Sequence, residues 1–378
     1  MQKIGVLGGM MDPIHLGHMR AALAALNEGL DRVLLAPCLT PAHRPQPQAS
    51  PEDRLAMCRL AAQADPRLEV SDIELRDTTC YAVDTVRLLM ERYPGARITW
   101  ILGADKLQSL PRWYQAETLF SLCDFLVCPR PGYESSLQAP GLRLRVMDIP
   151  PLEASSGDVL DRIHALDDAA ELLPRDVARY IALHGLYQPD YVPVLRQYGM
   201  GDKRLRHTLG VRDTAVELAA IHGVSMQAAA LAAMLHDLAK PLPLQRMQAL
   251  TQEYGLALPR EITADGNLLH GPLAAAMAER ELGIRNEAVL SAIACHTTGK
   301  RGMTALDKVL FIADAIEPNR ADYPGLTEMR RLAKTDLTAA VLLSMRRTKE
   351  YVLARQLHFC SVTEQAMQEL LEQKEEKA

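Results

Sequence analysis

Six histidine and aspartate side chains in the second half of the chain have the types and order that a metal site requires. They are His207, His236, Asp237, His270, His296 and Asp314. Imidazole and carboxylate together suit divalent transition metals such as Fe, Mn, Co or Zn better than Ca²⁺. Neighbours on a helix diverge by about 100°, so Asp237 can reach a second ion while His236 holds the first. Two ions sharing a carboxylate can clamp a phosphate and ionise a bridging water, which predicts phosphate-ester hydrolysis with Asp237 as a catalytic residue.

A glycine-rich turn near the N-terminus has the features of a phosphate site. The apolar stretch Ile4–Leu7 leads into the run Gly8-Gly9-Met10-Met11-Asp12-Pro13-Ile14-His15-Leu16-Gly17-His18. Glycines let a ligand approach the backbone closely, and a helix that opens at Gly17-His18 offers unpaired N–H groups with partial positive charge. We expect His15 and His18 to act as catalytic residues that donate to phosphates. The substrate-binding residues expected in this turn are Gly8, Gly9, Met10 and Asp12.

The first half of the chain alternates apolar strands with helices, and this alternation predicts how the turn is positioned. The predicted strands are Ile4–Leu7, Arg32–Ala36, Leu68–Ile73, Ile98–Leu102, Phe125–Cys128 and Leu144–Ile149. The predicted helices are 17–29, 51–64, 83–92 and 115–122. Strands separated by helices indicate right-handed βαβ units and an α/β doubly wound parallel sheet, in which ligands bind at the carboxyl ends of the strands.

Strand signals almost vanish beyond a boundary near residues 187–190. Helical apolar spacing recurs at 203–222, 226–239, 243–254, 271–282, 286–297, 304–316 and 326–347. This pattern predicts an all-α bundle, which can gather metal ligands from different helices in its core. With 378 residues, two domains are expected, and we predict them at 1–188 and 189–378.

Composition narrows the class of protein. The chain is 48% hydrophobic and 24% charged, with a net charge of −5, so no broad basic surface indicates a nucleic-acid partner. Seven cysteines without a CxxC pair indicate reduced thiols. The N-terminus lacks the features of a signal peptide, and the longest apolar run, Ala228–Leu235, is too short for a membrane span. We therefore expect a cytoplasmic protein without a membrane partner.

Several segments of the first half carry a family resemblance. The N-terminal run resembles the GG-x-F-D-P-x-H-x-G-H signature of the nucleotidylyltransferase superfamily, with Met11 in the usual Phe place. Further matching segments are Pro41-Ala42-His43-Arg44, Tyr81-Ala82-Val83-Asp84-Thr85, Leu102-Gly103-Ala104-Asp105, Trp113-Tyr114 and Arg130-Pro131-Gly132-Tyr133. In combination, the segments over residues 1–188 resemble bacterial nicotinate-nucleotide adenylyltransferase.

This resemblance implies adenylyl transfer from ATP to nicotinate mononucleotide, a step of NAD biosynthesis, with Mg²⁺ accompanying the ATP. It implies that Arg44 is a catalytic phosphate ligand in place of the family's Lys, and that Asp105 lies near a ribose. It also implies that Trp113, Tyr114 and Thr85 lie at the pyridine ring. The remaining substrate-binding residues that it implies are Gly103, Arg130, Ser155 and Ser156.

One segment departs from the family pattern. Where the family has I-S-S-T-x-x-R, with an Arg that meets the ATP phosphates, this chain has Gly157 for the Thr and Leu160 for the Arg. Loss of one charge-assisted contact at a phosphoryl centre costs about 2–4 kcal/mol of transition-state stabilisation. Two alternatives stay open: an active transferase, and a weakened domain that senses ATP or a dinucleotide for the hydrolase.

The helical half resembles the metal-dependent HD phosphohydrolases, specifically the YqeK type, which hydrolyses diadenosine tetraphosphate symmetrically to ADP. The matching segments are His207-Thr208, Ala233–Lys240, Leu269–Pro272, His296–Gly299, Asp307-Lys308 and Ile312–Arg320. The resemblance implies two divalent transition metal ions, with iron as the expected metal, and Lys240 and Arg320 as phosphate partners. A nucleoside mono- or diphosphate hydrolase of the wider HD group is the alternative, and a homo-oligomer stays open.

Overall fold

The computed structural model describes residues 1–39, 46–75, 79, 81–151 and 153–375. The chain divides into two compact units. Unit 1 comprises Met1–Arg162 and Ala169–Tyr180, and unit 2 comprises Ile163–Asp168 and Ile181–Ala378. The chain therefore passes between the units three times within residues 162–181. The domain limit at residues 188 and 189 stays a prediction.

Unit 1 is built on a parallel sheet of six strands within the described residues. The strands are β1 (Lys3–Gly9), β2 (Arg32–Pro37), β3 (Leu68–Val70), β4 (Arg97–Gly103), β5 (Asp124–Cys128) and β6 (Leu144–Val146), in the order β3-β2-β1-β4-β5-β6. Because successive strands are parallel, each connection crosses over the sheet, and the predicted doubly wound α/β sheet is confirmed.

The register of the strands brings several sequence-predicted positions to one edge of the sheet. Gly9 lies beside Pro37, and Gly103 lies beside Cys128, so the carboxyl ends of four strands are aligned. The strand order reverses between β1 and β4, and the crevice at such a reversal is where doubly wound sheets bind ligands.

Helices connect the strands of this sheet, and the last two of them contain residues at which the chain crosses from one unit to the other. They are α1 (Leu16–Asn27), α2 (Pro51–Ala62), α3 (Ala82–Arg92), α4 (Ala104–Leu107), the 3₁₀ helix Leu110–Arg112, α5 (Ala116–Leu122), α6 (Ser156–Ala165) and α7 (Arg175–His184). One core cluster joins β1, β4 and β5 to α3 and α5 through buried side chains such as Val6, Trp100, Phe125 and Val86. The predicted strands and the four predicted helices of this half are all present, with ends that shift by a few residues.

Unit 2 is helical, and its described residues contain no strand. Its helices are α8 (Val192–Gln197), α9 (Asp202–His222), α10 (Met226–Leu235), α11 (Leu244–Glu253), α12 (Arg260–Thr263), α13 (Gly266–Arg280), α14 (Glu287–Cys295), α15 (Ala305–Ile316), α16 (Leu326–Ala333), α17 (Leu337–Ala354) and α18 (Ser361–Glu375). All ten residues of α10 are buried, and α9, α13, α14 and α15 pack against it. The predicted all-α bundle is confirmed, with α10 at its centre.

The structure corrects some of the helix limits. The predicted single helix 326–347 is wrong, because α16 ends at Ala333 and α17 begins at Leu337. The side chain of Asp336 accepts a hydrogen bond from Ala339 N, and a short carboxylate favours such a cap over a helix interior. Helices α4, α6, α7, α8, α12 and α18 and the 3₁₀ helix Leu110–Arg112 were not predicted from the sequence.

Two chain-wide observations concern the cysteines and the helix lengths. The six cysteines among the described residues are all free and buried. Within the same residues, no helix has the length and apolar content that crossing a bilayer requires.

Candidate active sites

The N-terminus of α1 carries two stacked imidazoles. His15 is the N-cap of the helix, and its Nδ1 accepts a hydrogen bond from Gly17 N at 3.1 Å. The Nδ1 of His18 accepts from His15 N at 3.3 Å, so the two residues form a reciprocal capping box. Their ring centroids are 3.8 Å apart. Because both Nδ1 atoms accept, the proton of each neutral ring lies on Nε2, and each ring offers one Nε2–H donor.

Both rings are held in this neutral form. Burial lowers the pKa of His15 to about 4, and the Arg130 guanidinium adds to the effect. Burial also lowers the pKa of His18 well below its usual value, with further contributions from His15 and Arg130. The pair can therefore donate hydrogen bonds to an anion at neutral pH without carrying charge, and the positive charge comes from Arg130.

Arg130 and Asp105 form an ion pair at the carboxyl ends of β4 and β5. The Nε of Arg130 lies 3.2 Å from Asp105 Oδ1, and Lys106 Nζ lies 2.6 Å from Asp105 Oδ2. A Cβ at Gly103 would lie 3.0 Å from Arg130 Nε and would clash with Asp105 Oδ1, so only glycine fits there without moving the pair. Gly103, Asp105 and Arg130 thus occupy one place at the edge of the sheet, as predicted substrate-binding residues would.

The segment before α6 lies against the start of α1. The Oγ of Ser156 donates to Pro13 O at 3.2 Å, and a Cβ at Gly17 would lie 3.1 Å from Ala154 O. Ser155 caps α6: its Oγ accepts from Asp158 N, and its N donates to Asp158 Oδ2 at 2.9 Å. Two helix N-termini therefore lie near the β1–α1 turn, and both favour an anion.

In unit 2, four histidines and Asp237 form two groups with the geometry of metal ligands. His207, His236 and Asp237 form one group, and Asp237, His270 and His296 form the other. Within each group, the ligand atoms all lie within 4.8 Å of one another. Asp237 belongs to both, and its two oxygens divide between them. Oδ2 lies 3.4 Å from His236 Nε2, and Oδ1 lies 3.2 Å from His270 Nε2.

Asp314 extends the first group. Its Oδ1 lies 3.0 Å from Nε2 of His207, which itself lies 3.8 Å from Asp237 Oδ2. Helices α9, α13 and α15 carry His207, His270 and Asp314, whereas His236 and His296 follow directly after the last residues of α10 and α14. The structure thus brings together all six sequence-predicted metal ligands.

The donor atoms fit divalent cations. The Nδ1 atoms of His236 and His296 lie 2.6 Å and 2.7 Å from the main-chain oxygens of Ala233 and Ile293. A carbonyl oxygen only accepts, so each Nδ1 carries the proton and each Nε2 presents a lone pair, which is the form that binds metals. The buried Nε2 of His236 has no hydrogen-bond partner among the described residues. A divalent cation would satisfy the unpartnered lone pair of His236.

The pKa shifts of His296 and Asp314 agree with this fit. Burial, followed by the neighbouring His236 and His270, lowers the pKa of His296 to about 3, so the ring is neutral at physiological pH. Burial alone would raise the pKa of Asp314, but the hydrogen bond with His207 and the charges of His236, Arg320 and His296 together hold the pKa below its usual value. Both groups are in the deprotonated state that metal binding requires.

Comparison with known proteins agrees with these two sites. Residues 6–175 match a cytidylyltransferase-like family, and residues 204–319 match the HD domain. A protein of Yersinia enterocolitica named "Probable nicotinate-nucleotide adenylyltransferase" is 36% identical over 207 residues, which cover 48% of this chain and 94% of the relative. The chain belongs to the nicotinate-nucleotide adenylyltransferase family. Its HD domain follows in the same chain.

Two further proteins are similar over larger or different parts of this adenylyltransferase family member. A Mycoplasma pneumoniae protein named "Probable nicotinate-nucleotide adenylyltransferase/Ap4A hydrolase" is 28% identical over 348 residues, 90% of this chain and 97% of the relative. A solved Clostridium acetobutylicum "predicted HD superfamily hydrolase involved in NAD metabolism" is 36% identical, with a TM-score of 0.46. That match covers 48% of this chain and 97% of the solved chain.

Hydrogen bonds of two buried side chains, Asp12 and Arg54, stabilise the β1–α1 turn of this family member. Both carboxylate oxygens of Asp12 accept main-chain hydrogen bonds, from Gln48 N at 2.6 Å and Ala49 N at 3.1 Å. The buried Arg54, which the sequence analysis missed, donates from one nitrogen to Met10 O at 2.8 Å and Cys38 O at 2.5 Å. Asp12 and Met10 therefore shape the turn, and their direct contact with a substrate stays a prediction.

The residues expected at the pyridine ring lie around α3 and the 3₁₀ helix. Thr85 is fully buried and donates to Oε1 of Glu74 at 2.8 Å, and a Cβ at Gly8 would lie 3.6 Å from the same oxygen. The ring of Tyr114 lies 4.5 Å from that of Tyr81. Trp113 is half-buried and donates from Nε1 to Ser109 Oγ at 3.2 Å. Arg44 lies outside the described residues, so its role stays a prediction.

Three positive charges surround the HD site. Lys240 Nζ lies 3.2 Å from Asn267 Oδ1 and 3.4 Å from His270 Nδ1. Arg320 donates to Asp314 from two nitrogens, at 2.6 Å to Oδ1 and 2.9 Å to the main-chain oxygen. Arg204, which the sequence analysis did not single out, lies with NH1 2.6 Å from Asp237 Oδ2. Cationic side chains beside the ligand groups suit a phosphate substrate.

Glu317 is a further residue that the sequence analysis quoted in a motif but gave no role. It is buried, and its Oε1 accepts from His207 Nδ1 at 3.1 Å while Oε2 accepts from Asn319 N at 2.6 Å. A Cβ at Gly210 would collide with Oε2 of Glu317. Glycine at this position of α9 therefore allows the carboxylate to reach His207 and fix its orientation, as outer partners of metal ligands do.

Proposed function

We propose that this chain is a bifunctional enzyme. Unit 1 transfers the adenylyl group from ATP to nicotinate mononucleotide, and the HD domain hydrolyses diadenosine tetraphosphate symmetrically to ADP. The observation that carries the hydrolase is the division of the two Asp237 oxygens between two histidine groups. The Mycoplasma pneumoniae relative, whose name contains both activities and which matches 90% of this chain, supports the pairing of the two reactions.

The adenylyl transfer follows from the donors at the start of α1. The phosphate of the mononucleotide attacks the α-phosphorus of ATP in line, and pyrophosphate leaves, so the protein needs no nucleophile of its own. The Nε2–H groups of His15 and His18, with the helix N-terminus, donate to the phosphates of ATP. Arg130 supplies positive charge, and Mg²⁺ arrives with the nucleotide as part of the substrate.

The hydrolase residues would hold two divalent transition metal ions, which we propose to be iron. When bound, such ions would polarise the phosphate and lower the pKa of water. His207, His236, His270, His296, Asp237 and Asp314 would hold the ions. Lys240 and Arg320 bind the phosphates of the substrate and so orient the scissile bond. We further propose a cytoplasmic location, supported by the six free cysteines among the described residues.

One preparation of the full chain tests both halves. With ATP, Mg²⁺ and nicotinate mononucleotide, it should release pyrophosphate, and with diadenosine tetraphosphate it should give ADP alone. His18→Ala should lower only the transfer, by about 10²–10³, because it removes one phosphate donor. AMP and ATP as the hydrolysis products would contradict the symmetrical reaction, and absence of pyrophosphate would contradict the transferase.

A second candidate for unit 1 is a nucleotide sensor that no longer catalyses. Leu160 stands where the family has a phosphate-binding Arg, and the nearby Arg162 lies with NH1 3.9 Å from Glu171 Oε2. ATP binding without pyrophosphate release would favour this candidate. The alternative for the HD domain, hydrolysis of nucleoside mono- or diphosphates, would give inorganic phosphate together with the nucleoside or the nucleoside monophosphate.

A further inference from the structure

Arg204 lies one helical turn before His207 on α9, on the side of the helix that faces the HD site. Its NH1 lies 2.6 Å from Oδ2 of Asp237, and Asp237 is its only hydrogen-bond partner among the described residues. The same Oδ2 belongs to the first ligand group, 3.4 Å from His236 Nε2 and 3.8 Å from His207 Nε2. The guanidinium of Arg204 and the imidazoles of His207 and His236 thus all lie close to one carboxylate oxygen.

We propose that Arg204 competes with the metal ion of this group for Asp237 and, once the ion takes Oδ2, turns to the phosphate of the substrate. The inference rests on the proposed two-metal hydrolase. A guanidinium and a divalent cation are both attracted to the same buried negative charge. Binding of one therefore weakens the electrostatic attraction of Asp237 for the other. Without the ion, Arg204 neutralises the charge of Asp237; with the ion bound, Arg204 is free to bind the phosphate.

The surroundings of Arg204 allow this exchange. Its side chain is 40% exposed, whereas that of Asp237 is only 4% exposed, so the arginine can move outward while the carboxylate stays in place. Arg320 differs, because it holds Asp314 through both a carboxylate and a main-chain oxygen. Arg204 has a single anchor. It is therefore the cation that metal binding releases most readily.

The negative charge of the substrate phosphate would attract the released Arg204 side chain. Lys240 lies beside the second ligand group, with Nζ 3.4 Å from His270 Nδ1 and 3.2 Å from Asn267 Oδ1. An arginine released from Asp237 adds a planar donor set beside the ammonium of Lys240, and guanidinium binds phosphate oxygens in pairs. Arg204 would then be a substrate-binding residue whose availability depends on the metal.

The test compares metal retention by the full chain and its variants. Each protein, loaded with Mn²⁺, is titrated with EDTA, and the bound Mn²⁺ is measured by elemental analysis. Arg204→Gln should hold the ion of the first group to an EDTA concentration about tenfold higher than the wild type. Arg204→Lys should stay close to the wild type, and it controls for misfolding. Arg206→Gln, an equal charge change at an exposed position of the same helix, should have no effect.

A second measurement uses inorganic phosphate as the probe. Phosphate should bind the Mn²⁺-loaded Arg204→Gln protein several-fold more weakly than the wild type, and Arg206→Gln should bind it normally. Equal or easier loss of Mn²⁺ from Arg204→Gln would overturn the competition and make Arg204 a support of the bound ion. If Arg204→Gln loses Mn²⁺ in this way while the wild type hydrolyses diadenosine tetraphosphate, only this inference is contradicted and the proposed function stands. A wild type that binds no Mn²⁺ and hydrolyses nothing contradicts the proposed function.

Discussion

The Nδ1 atom of His207 lies 3.1 Å from Oε1 of Glu317, and this contact turns Nε2 of the imidazole towards Asp237 and Asp314. A carboxylate accepts the Nδ1 proton, so the contact fixes the tautomer as well as the direction of the ring. Glu317 follows α15, which also carries Asp314, so one short segment supplies a ligand and the residue that orients another ligand.

Replacing Glu317 by Gln should lower metal affinity about 10- to 100-fold, because the amide orients His207 less well and adds no basicity to the ring. The midpoint of a chelator titration measures the effect. Gly210→Ala should reproduce it by pushing Glu317 away, although alanine normally favours a helix.

Gly201→Ala is the matched control for that pair, since a Cβ at Gly201 meets no atom within 4 Å. Wild-type metal affinity in Gly210→Ala would mean that Glu317 does not need its present position.

Asp237→Asn should remove hydrolysis, by more than about a hundredfold, while adenylyl transfer continues at the wild-type rate. The amide offers one neutral oxygen in place of two charged ones, so neither ligand group keeps its shared anion. Both reactions are assayed on the same preparation. Asp213→Asn, an exposed position of α9 whose carboxylate pairs with Arg212, should leave both reactions unchanged. Retained hydrolysis in Asp237→Asn would mean that Asp237 does not bridge the two groups.

Sequence reasoning predicted the strands and the six ligands, because each follows from a local pattern. Continuous apolar runs identify buried strands, and the ligands are rare polar residues next to apolar helical segments. Arg204, Glu317 and Arg54 were missed because their roles depend on contacts with residues distant in the chain, at separations of 33, 110 and 44 positions. Spacing within one element carries no signal for such contacts.

The division of the predicted helix 326–347 has a local cause that the apolar spacing hides. Leu326, Met329, Ala333 and Leu337 keep a helical period across the break, and all four are buried. The cap at Asp336 nevertheless starts a new helix. A periodic pattern therefore locates the buried face of the segment, whereas the capping residue decides where each helix ends and begins.

The stability of unit 1 should fall as the pH decreases from 6.5 towards 4. The unfolded His15 takes up a proton near its ordinary pKa of about 6.5, but the folded ring stays neutral down to about 4, so protons favour the unfolded chain in this window. His15 alone should account for about 2 kcal/mol between pH 7 and 5. Both tryptophans, Trp100 and Trp113, lie in unit 1, so their fluorescence during urea unfolding follows this unit.

His15→Gln serves as the reference in that experiment, because groups unrelated to His15 cancel in the difference between the two proteins. The difference in unfolding free energy should shrink by about 2 kcal/mol between pH 7 and 5. A difference that is independent of pH would show that His15 titrates normally in the folded protein.

Leu160→Arg should raise the catalytic efficiency of adenylyl transfer by about 10²–10³-fold, since one charge-assisted contact at a phosphoryl centre contributes about 2–4 kcal/mol. Residue 160 lies four positions after Ser156, which donates to Pro13 O, so both face the same side of α6. Steady-state kinetics of pyrophosphate release measure the change. Asp161→Arg adds an arginine on another face of α6 and should not raise the rate, and an equal gain from it would point to a general charge effect.

Anomalous diffraction from crystals of the metal-loaded full chain would show whether Asp237 joins two metal ions. Two anomalous peaks should flank the Asp237 carboxylate, one beside His207 and His236 and the other beside His270 and His296, each about 2.0–2.2 Å from its ligand atoms. No peak, or a single peak that Asp237 does not contact, would contradict the claim.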